Sequence, residues 1–483
     1  MKQVVLNFLK SKNLNNAAWS SVDAIVYPAL MLLATPVFIN KLGVELYGIW
    51  MFINTIMASI GILNIGLGDA TVKFVSKYLV AGEREKVNKI IGATYSVYLV
   101  LCAVVVLVAI VSSFVVREYN WLHLAEGRTT VVFYTIQIAG LTLGLKFIEQ
   151  IFLAVFKGYE RYDLSAKISI LGKVTTLGVN LLLVVLDFSL IHIFIGSCFV
   201  TFIYLLIEAW LVYRFSNFTH FIPLFERKYI REIFSFGIWT WFQSIIGILS
   251  GQVDKFIVIS LSDIKTFAYY SIALTIFTQI HSVFSASVAW IFPVISKKIY
   301  MGEKVDHLYN KIQFYFLGVA TILLAVFYVI KDPFILMWLK EDTYKNTIDF
   351  ISLFICYNLV MATTIIPYYF LNGSSHFRLN TLFMLLNLAS RALFIPLLYY
   401  FMDTQGLVIG LIISGLAVTP VQMHYFTKKI LGVRDMLAGV KIMVPSILFL
   451  VVFSKNTILL SVLCLAVILI WYKFIFRPST NPS

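Results

Sequence analysis

Residues 90–116 read IIGATYSVYLVLCAVVVLVAIVSSFVV, and this stretch decides the fold because it contains no charged side chain and no proline. Lys89 precedes it and Arg117 follows it. About 20 apolar residues suffice for an α-helix to cross the hydrocarbon core of a bilayer. The apolar residues are continuous and do not alternate with polar ones as in a transmembrane β-strand, so the segment predicts a membrane-spanning helix.

The rest of the chain repeats this character. Of its 483 residues, 60% are hydrophobic and 13% are charged, whereas a soluble domain is about 45–50% apolar and about 25% charged. No water-soluble fold can bury that much apolar surface, so we expect an all-α polytopic membrane protein with about 14 transmembrane helices. The candidate spans fall near residues 17–40, 46–68, 88–116, 130–157, 167–186, 190–213, 233–262, 266–295, 311–331, 347–371, 379–400, 404–427, 437–454 and 456–476.

The distribution of basic residues predicts the orientation of the chain, which has a net charge of +14. With the loops assigned alternately to the two sides of the membrane, one side carries 25 Lys and Arg, the other carries 8, and five lie within spans. Cytoplasmic loops carry the excess of basic residues, so we expect both termini in the cytoplasm, as an even number of spans requires. The basic residues are scattered among short loops, so we expect no nucleic-acid partner.

The loops leave no room for a soluble catalytic domain. The longest run roughly over residues 331–346 and 214–231. The chain contains no GxxxxGK[ST], no complete GxGxxG and no HExxH, which are the common nucleotide and zinc motifs. Its four cysteines lie within spans and lack metal-ligand spacing. We therefore expect no enzyme activity, no cofactor and no metal site.

An internal repeat divides the chain. At an offset of 220 residues, Ser76-Lys77 followed by Gly82-Glu83 matches Ser296-Lys297 followed by Gly302-Glu303. Short matches also arise by chance, but both segments follow the second helix of a half, which favours a true duplication. Six helices is an even number, so both repeats enter the membrane in the same sense. The expected domains are an N-terminal six-helix bundle (1–216), a C-terminal six-helix bundle (217–430), and two additional helices with a short cytoplasmic tail (431–483).

Two segments of the first repeat resemble a known family. The stretch 41–50, KLGVELYGIW, and the stretch 64–71, NIGLGDAT, resemble the opening of O-antigen and capsular polysaccharide flippases through the patterns LGxxxYGxW and xGLG. The basic loop over residues 76–89 resembles that family too, and the likeness extends more loosely through both halves. The family belongs to the multidrug/oligosaccharidyl-lipid/polysaccharide exporter superfamily, whose two-lobed fold of twelve to fourteen helices fits the count above.

The resemblance implies a function in polysaccharide biosynthesis. It implies a flippase in the bacterial cytoplasmic (inner) membrane that translocates a polyprenyl-pyrophosphate-linked oligosaccharide, such as an O-antigen unit of lipopolysaccharide or a capsular or exopolysaccharide repeat unit. The expected mechanism is alternating access, and the expected partners are this lipid-linked glycan and membrane lipids. The resemblance also implies that the first two helices of each half line a cleft. It assigns no individual substrate residue, so site residues must come from charge placement.

Ionisable side chains deep within spans are the best sequence signal for a site. Each costs about 3 kcal/mol on insertion scales and usually faces a water-filled cavity or a partner. A pyrophosphate needs fixed cations in a cavity of low dielectric constant. Lys173 and Arg391 fall within two residues of equivalent depth at the offset of 220. A salt bridge between helices is the alternative for each predicted cation. The predicted substrate-binding cations are Lys146, Lys173, Lys255 and Arg391.

A proton or sodium gradient could drive transport through an acidic side chain within a span. Lys146 and Glu149 lie three residues apart on one helix face, where a structural ion pair is as good an explanation as a functional one. Asp254 and Lys255 are adjacent and point about 100° apart, so they cannot simply pair. The candidate ion-coupling residues are Glu149, Asp254 and Asp23.

Two other function classes remain open. A cation-coupled multidrug antiporter of the same superfamily would show a predominantly acidic cavity. Here the four predicted cations oppose four acids, Asp23, Glu149, Glu208 and Asp254, and we expect Asp23 and Glu208 near the cytoplasmic ends of their helices, at the interface. A membrane glycan polymerase would normally add a large extracytoplasmic loop or an acidic catalytic motif, and neither is present.

Overall fold

A computed structural model describes residues 26, 30–64, 66–119, 124, 126–216, 223–303, 305–374 and 376–428. Several predicted features lie outside these residues. They are Asp23, most of the first part of the span near 17–40, and the whole of the spans near 437–454 and 456–476. The described helices are α1 (Leu30–Leu42), α2 (Val44–Ile60), α3 (Leu67–Val80), α4 (Arg84–Glu118), α5 (Glu126–Gly158), α6 (Tyr162–Val185), α7 (Leu190–Ser216), α8 (Arg227–Leu261), α9 (Ile264–Val288), α10 (Ile291–Tyr300), α11 (Asp306–Trp338), α12 (Glu341–Gly373) and α13 (Phe377–Phe426).

The described helices match the predicted spans. Ten of them are long and apolar enough to cross a membrane, with α13 counted once. At 50 residues, α13 is far longer than a bilayer is thick, and its backbone leaves the helical region at Asp403 (φ 53°, ψ −139°), so it supplies two spans. The helix α1 supplies the described part of the first span. The prediction of an all-α polytopic membrane fold is confirmed.

The chain forms two compact units. Unit 1 comprises Met1–Gln252 and Asp263–Ala268, and unit 2 comprises Val253–Ser262 and Tyr269–Ser483. In unit 1, α5 is the central helix and packs against α2, α3, α4, α6 and α7. In unit 2, α12 has the corresponding place and packs against α10, α11 and α13.

Small residues allow the helices of each unit to approach closely. A Cβ atom on Gly140 of α5 would lie 2.1 Å from the Cβ of Ala109 on α4, and one on Gly415 of α13 would lie 2.8 Å from Cγ1 of Val360 on α12. Lipid tails are as apolar as leucine, so helices in a bilayer associate through such close packing and not through a hydrophobic driving force.

Large apolar side chains cover the outer faces of several helices. They include Leu107, Val111 and Phe114 on α4 and Phe199 and Trp210 on α7, all of which are exposed in the isolated chain. In water these side chains would form an extended apolar patch, but in a bilayer they contact lipid at no cost.

The predicted repeat is visible in the backbone. Both α3 and α10 end at a glycine in the left-handed region, Gly82 (φ 73°) and Gly302 (φ 72°). The amide of Gly82 donates to the carbonyl of Leu79, and the amide of Gly302 donates to that of Ile299, each over 3.0 Å. A glycine in this conformation is the usual end of a helix because it satisfies the last carbonyls without a Cβ clash.

The register of the repeat shifts after the third membrane-spanning helix of each half, which is α4 in the first half and α11 in the second. Val75 of α3 touches Gly158 at the end of α5, and Ile295 of α10 touches Gly373 at the end of α12. The two aliphatic residues are 220 positions apart, whereas the two glycines are 215 apart. The reason is that the connection from α11 to α12 is five residues shorter than that from α4 to α5. The two repeats therefore align at an offset of 215 from α5 onward.

The segment that carries the family resemblance has structural roles in unit 1. Gly43 precedes α2 with φ 80° and Gly66 precedes α3 with φ 65°, which are conformations that favour glycine. Tyr47 is fully buried. A Cβ on Gly48 would lie 2.6 Å from the carbonyl oxygen of Ile264 at the start of α9, so only glycine allows this approach. The motif therefore has a local structural role at the starts of α2 and α3.

Candidate functional site

Three of the predicted site residues come together inside unit 1. Lys146 and Glu149 lie on the central helix α5, and Lys173 lies on α6. The charge of Glu149 interacts with those of both Lys146 and Lys173. We call these residues, with Glu208 of α7, the unit 1 cluster. It places two cations beside one carboxylate on membrane-spanning helices.

The side chain of Glu208 is fully buried within unit 1, which the sequence did not predict. Its side chain is 0% exposed, and its charge interacts with that of Glu149. The helix α7 continues to Ser216, so Glu208 lies about two turns inside the helix.

The α6–α7 interface holds the unit 1 cluster in place. The hydroxyls of Thr175 on α6 and Tyr204 on α7 are 2.9 Å apart, within hydrogen-bond distance. A Cβ on Gly172 would lie 3.4 Å from the ring of Tyr204, which shows how closely the two helices approach. Lys173 lies between these two contacts in the sequence of α6, and Glu208 lies one turn after Tyr204 on α7.

In unit 2, Asp254 is held by a tyrosine that sequence reasoning missed. The carboxylate of Asp254, on α8, is 4% exposed and accepts a hydrogen bond of 2.5 Å from the hydroxyl of Tyr270 on α9. Tyr270 is itself fully buried and packs its ring edge against Phe354 of α12. Because the 16-residue spacing of the pair has no periodic meaning, the sequence gives no signal for it.

Arg391 of α13 joins the same polar group. Its guanidinium donates a hydrogen bond of 2.7 Å to the hydroxyl of Tyr357 on α12, and its charge interacts with those of Asp254 and His281. We call Asp254, Tyr270, Tyr357 and Arg391 the unit 2 network. The hydrogen-bond partner of the guanidinium is thus a neutral tyrosine on a neighbouring helix, whereas the alternative that the sequence left open was a salt bridge between helices.

The remaining predicted residues are placed as follows. Lys255 is half-buried, and its charge interacts with that of the adjacent Asp254. Asp23 lies outside the described residues. With the repeats aligned at an offset of 215 residues, the position equivalent to Lys173 is three residues from Arg391, which is about one helical turn. At an offset of 220 the separation is two residues.

A neutral network lies beside the unit 1 cluster on α5. The side-chain amide of Asn64 donates to the Oε1 atom of Gln150 over 2.8 Å, and the hydroxyl of Tyr98 lies 3.4 Å from the same atom. Asn64 is the first residue of the NIGLGDAT segment. Hydrogen bonds of this kind hold membrane helices together without a charge.

Near one end of unit 1, Glu232 of α8 connects to α3. The hydroxyl of Tyr78 donates a hydrogen bond of 2.8 Å to Glu232, and Lys77 lies 3.7 Å from the same carboxylate. Burial and this carboxylate raise the pKa of Tyr78 to about 12. The phenol therefore stays neutral, and the hydrogen bond persists, throughout the physiological pH range.

The chemistry available to these groups is recognition and proton or ion exchange. Lysine and arginine side chains supply donors for a phosphate, and carboxyl groups supply a site for a proton. No group of three or more His, Cys, Asp and Glu that could hold a metal ion occurs in the described part of the chain.

Comparisons with known proteins identify a family for this chain and several solved structures of similar fold. The sequence profile of the family described as "Polysaccharide biosynthesis protein" matches residues 14–299, which is more than half of the chain. A comparison with curated protein sequences gives no significant match.

Solved structures with a similar fold are flippases and transporters. The chain is similar to "Lipid II flippase MurJ, inward closed conformation", with TM-score 0.67 and 14% identity over 96% of this chain and 100% of that one. It is similar to an inward-facing multidrug resistance MATE family transporter of the MOP superfamily, with TM-score 0.65 and 13% identity over 85% and 98%. A MOP superfamily transporter from Pyrococcus furiosus gives TM-score 0.58 and 12% identity over 86% and 95%. At these identities the likeness shows the fold alone.

Proposed function

The chain belongs to the polysaccharide biosynthesis protein family and has the fold of the multidrug/oligosaccharidyl-lipid/polysaccharide exporter superfamily, and from this premise we propose that it is a lipid-linked oligosaccharide flippase. It translocates a polyprenyl-pyrophosphate-linked oligosaccharide by alternating access. The cargo is an O-antigen unit of lipopolysaccharide or a capsular or exopolysaccharide repeat unit. The membrane is the bacterial cytoplasmic (inner) membrane, and both termini face the cytoplasm, as the excess of basic residues on one side favours.

The observation that carries the proposal is the placement of cations on membrane-spanning helices of both units. Lys146 and Lys173 lie near one carboxylate in unit 1, while Lys255 and Arg391 lie near Asp254 in unit 2. A pyrophosphate that leaves water needs charge-assisted hydrogen bonds, and such cations supply them. The polyprenyl tail needs no site in the protein because it is soluble in the bilayer. The name of the similar lipid II flippase supports a lipid-linked cargo.

Glycan export in cells tests the proposal. A fourfold alanine variant should lose export at a normal protein level, and unchanged export would contradict the assigned site. Exposed cations provide a matched fourfold alanine control that should retain export. The test set is Lys146, Lys173, Lys255 and Arg391, and the control set is Lys157, Arg214, Lys340 and Lys345.

A cation-coupled multidrug antiporter is the second candidate. It is favoured by the similarity to a multidrug resistance transporter and by the buried acids Asp254 and Glu208. The two candidates differ in cargo charge, because an organic cation prefers acids whereas a pyrophosphate prefers Lys and Arg. A drug-resistance assay beside the glycan-export assay separates them, and resistance without glycan export would favour the antiporter.

A further inference from the structure

Glu208 is buried without a hydrogen-bond partner. Its exposure is 0%, and neither carboxylate oxygen has a partner among the described residues. An ionised carboxylate in such a place has lost its water and gained nothing in return, which strongly favours the neutral acid. Every predicted site residue in the described part of the chain is, unlike Glu208, either more exposed or hydrogen-bonded.

The charged neighbours of Glu208 favour a proton there as well. The helix α7 packs against α5 and α6. The charged neighbour of Glu208 on α5 is Glu149. The charge of Glu149 also interacts with those of Lys146 on α5 and Lys173 on α6. Two carboxyl groups at close quarters cannot both ionise easily, and the one without cations beside it keeps the proton. Glu149 has the cations, so Glu208 has the proton.

We propose that Glu208 and Glu149 form a one-proton site within unit 1, with the proton held on Glu208, and that this proton strengthens the binding of the anionic cargo to the unit 1 cluster. The first part is independent of the cargo, whereas the second rests on the proposed flippase function. The chemistry is proton transfer between the Glu208 carboxyl group and water. No covalent bond to the cargo forms.

The surroundings fit a proton better than a sodium ion. A metal cation prefers several oxygen ligands, and no group of three or more His, Cys, Asp and Glu that could hold one occurs among the described residues. Lys146 and Lys173 near Glu149 would also repel it. A proton needs one carboxyl oxygen.

A glutamine substitution separates the charge of Glu208 from its shape. Glutamine has the shape of a protonated glutamate, so the substitution Glu208→Gln should preserve the fold.

Protonation of Glu208 also sets the charge of the unit 1 cluster. With the proton bound, the two lysines outnumber the one carboxylate of Glu149. Loss of the proton adds a second carboxylate and cancels the excess positive charge. An anionic cargo therefore binds this cluster more weakly after the proton leaves, and by linkage the cargo and the proton affect each other's binding equally.

Infrared spectroscopy of the purified full chain in lipid vesicles tests the proton site. At pH 7, the wild-type chain should show a carboxylic-acid C=O band that Glu208→Gln lacks and that the control Glu341→Gln, at an exposed ion pair with Lys345, retains. An unchanged band in Glu208→Gln would overturn the site, as would removal of the wild-type band by sodium chloride in place of choline chloride at constant pH. Failure of Glu208→Gln to fold would also overturn it, because glutamine reproduces the neutral side chain.

Glycan export by the same variants tests the link between the proton and the cargo. Glu208→Gln holds the cluster in the charge state that binds the cargo, so it should hinder release and reduce export at least tenfold at a normal protein level, whereas Glu341→Gln should not. Full export by a Glu208→Gln chain that lacks the band would overturn this link. The outcome for the proposed function is distinguishable: if the wild-type chain itself supports no export while the band is present, the flippase proposal fails and the proton site stands.

Discussion

Replacing Gly158 with alanine should destabilise unit 1 through a single steric contact. Gly158 is the last residue of α5, and a Cβ there would lie 2.6 Å from Cγ1 and 2.8 Å from Cβ of Val75 on α3. Real Cβ atoms do not approach carbon atoms so closely, so α3 or α5 must move. The branched side chain of Val75 has little freedom to rotate away.

The magnitude follows from two opposing effects. Overpacking of a close contact costs about 1–3 kcal/mol, while exchange of glycine for alanine in a helix gains at most about 1 kcal/mol. Gly178 is the matched control, because it lies within α6 and a Cβ there would meet no atom within 4 Å. The control should therefore show the helix gain alone, and the difference between the two variants should be about 1–3 kcal/mol.

The assay is the free energy of unfolding in detergent micelles, measured by titration with a denaturing detergent. The additional substitution Val75→Ala should recover part of the lost stability in Gly158→Ala, because it removes Cγ1, the closer of the two clashing atoms, although the Cβ at 2.8 Å remains. Equal effects of Gly158→Ala and Gly178→Ala, or no coupling between positions 75 and 158, would refute the packing argument.

Three further predictions concern polar contacts. Tyr270→Phe should lower the free energy of unfolding by about 1.5–3 kcal/mol, because it removes a hydrogen bond to the buried Asp254 carboxylate; a double-mutant cycle with Asp254→Asn measures this coupling. Tyr78→Phe should cost about 1 kcal/mol, with coupling to Glu232→Gln in a cycle at pH 7, and the stabilisation should disappear above about pH 12, where the phenol ionises. Arg391→Lys should lower the free energy of unfolding less than Arg391→Ala, because lysine keeps the charge but cannot form the same fork of donors.

A control variant and a contradicting result can be stated for these predictions. Tyr400→Phe changes an exposed tyrosine and should leave stability within about 0.5 kcal/mol of the wild type. Additive effects in the Tyr270 cycle or the Tyr78 cycle would contradict the corresponding hydrogen bond. For Arg391, equal loss of stability in the lysine and alanine variants would show that charge contributes nothing at that place.

The fold could be predicted because each membrane span is a local property of the sequence. The run at residues 90–116 lies within α4, and the other predicted spans in the described residues coincide with helices in the same way. The repeat was found from one tight turn, since Gly82 and Gly302 have the same backbone conformation. The shift of its register was not predicted, because it arises from a shorter connection before α12 and leaves no motif.

The sequence identifies the unusual charges within the spans but not their contacts. Charge within an apolar run identifies Lys146, Glu149 and Arg391 as unusual, since any such residue is costly there. Which charges meet depends on helix packing, and the partner of a charge is often a neutral residue such as Tyr270. The burial of Glu208 was not predicted, because it depends on which face of α7 packs against α5 and α6.

The most direct test of the central claim is lipid flipping by the purified chain in proteoliposomes. Polyprenyl-pyrophosphate-linked oligosaccharide carried by the inner leaflet should become accessible to an added glycan-modifying enzyme only when the chain is present. The fourfold alanine variant at Lys146, Lys173, Lys255 and Arg391 should abolish this exposure, and the control at Lys157, Arg214, Lys340 and Lys345 should not. Equal exposure in protein-free liposomes, or full activity of the first variant, would contradict the account.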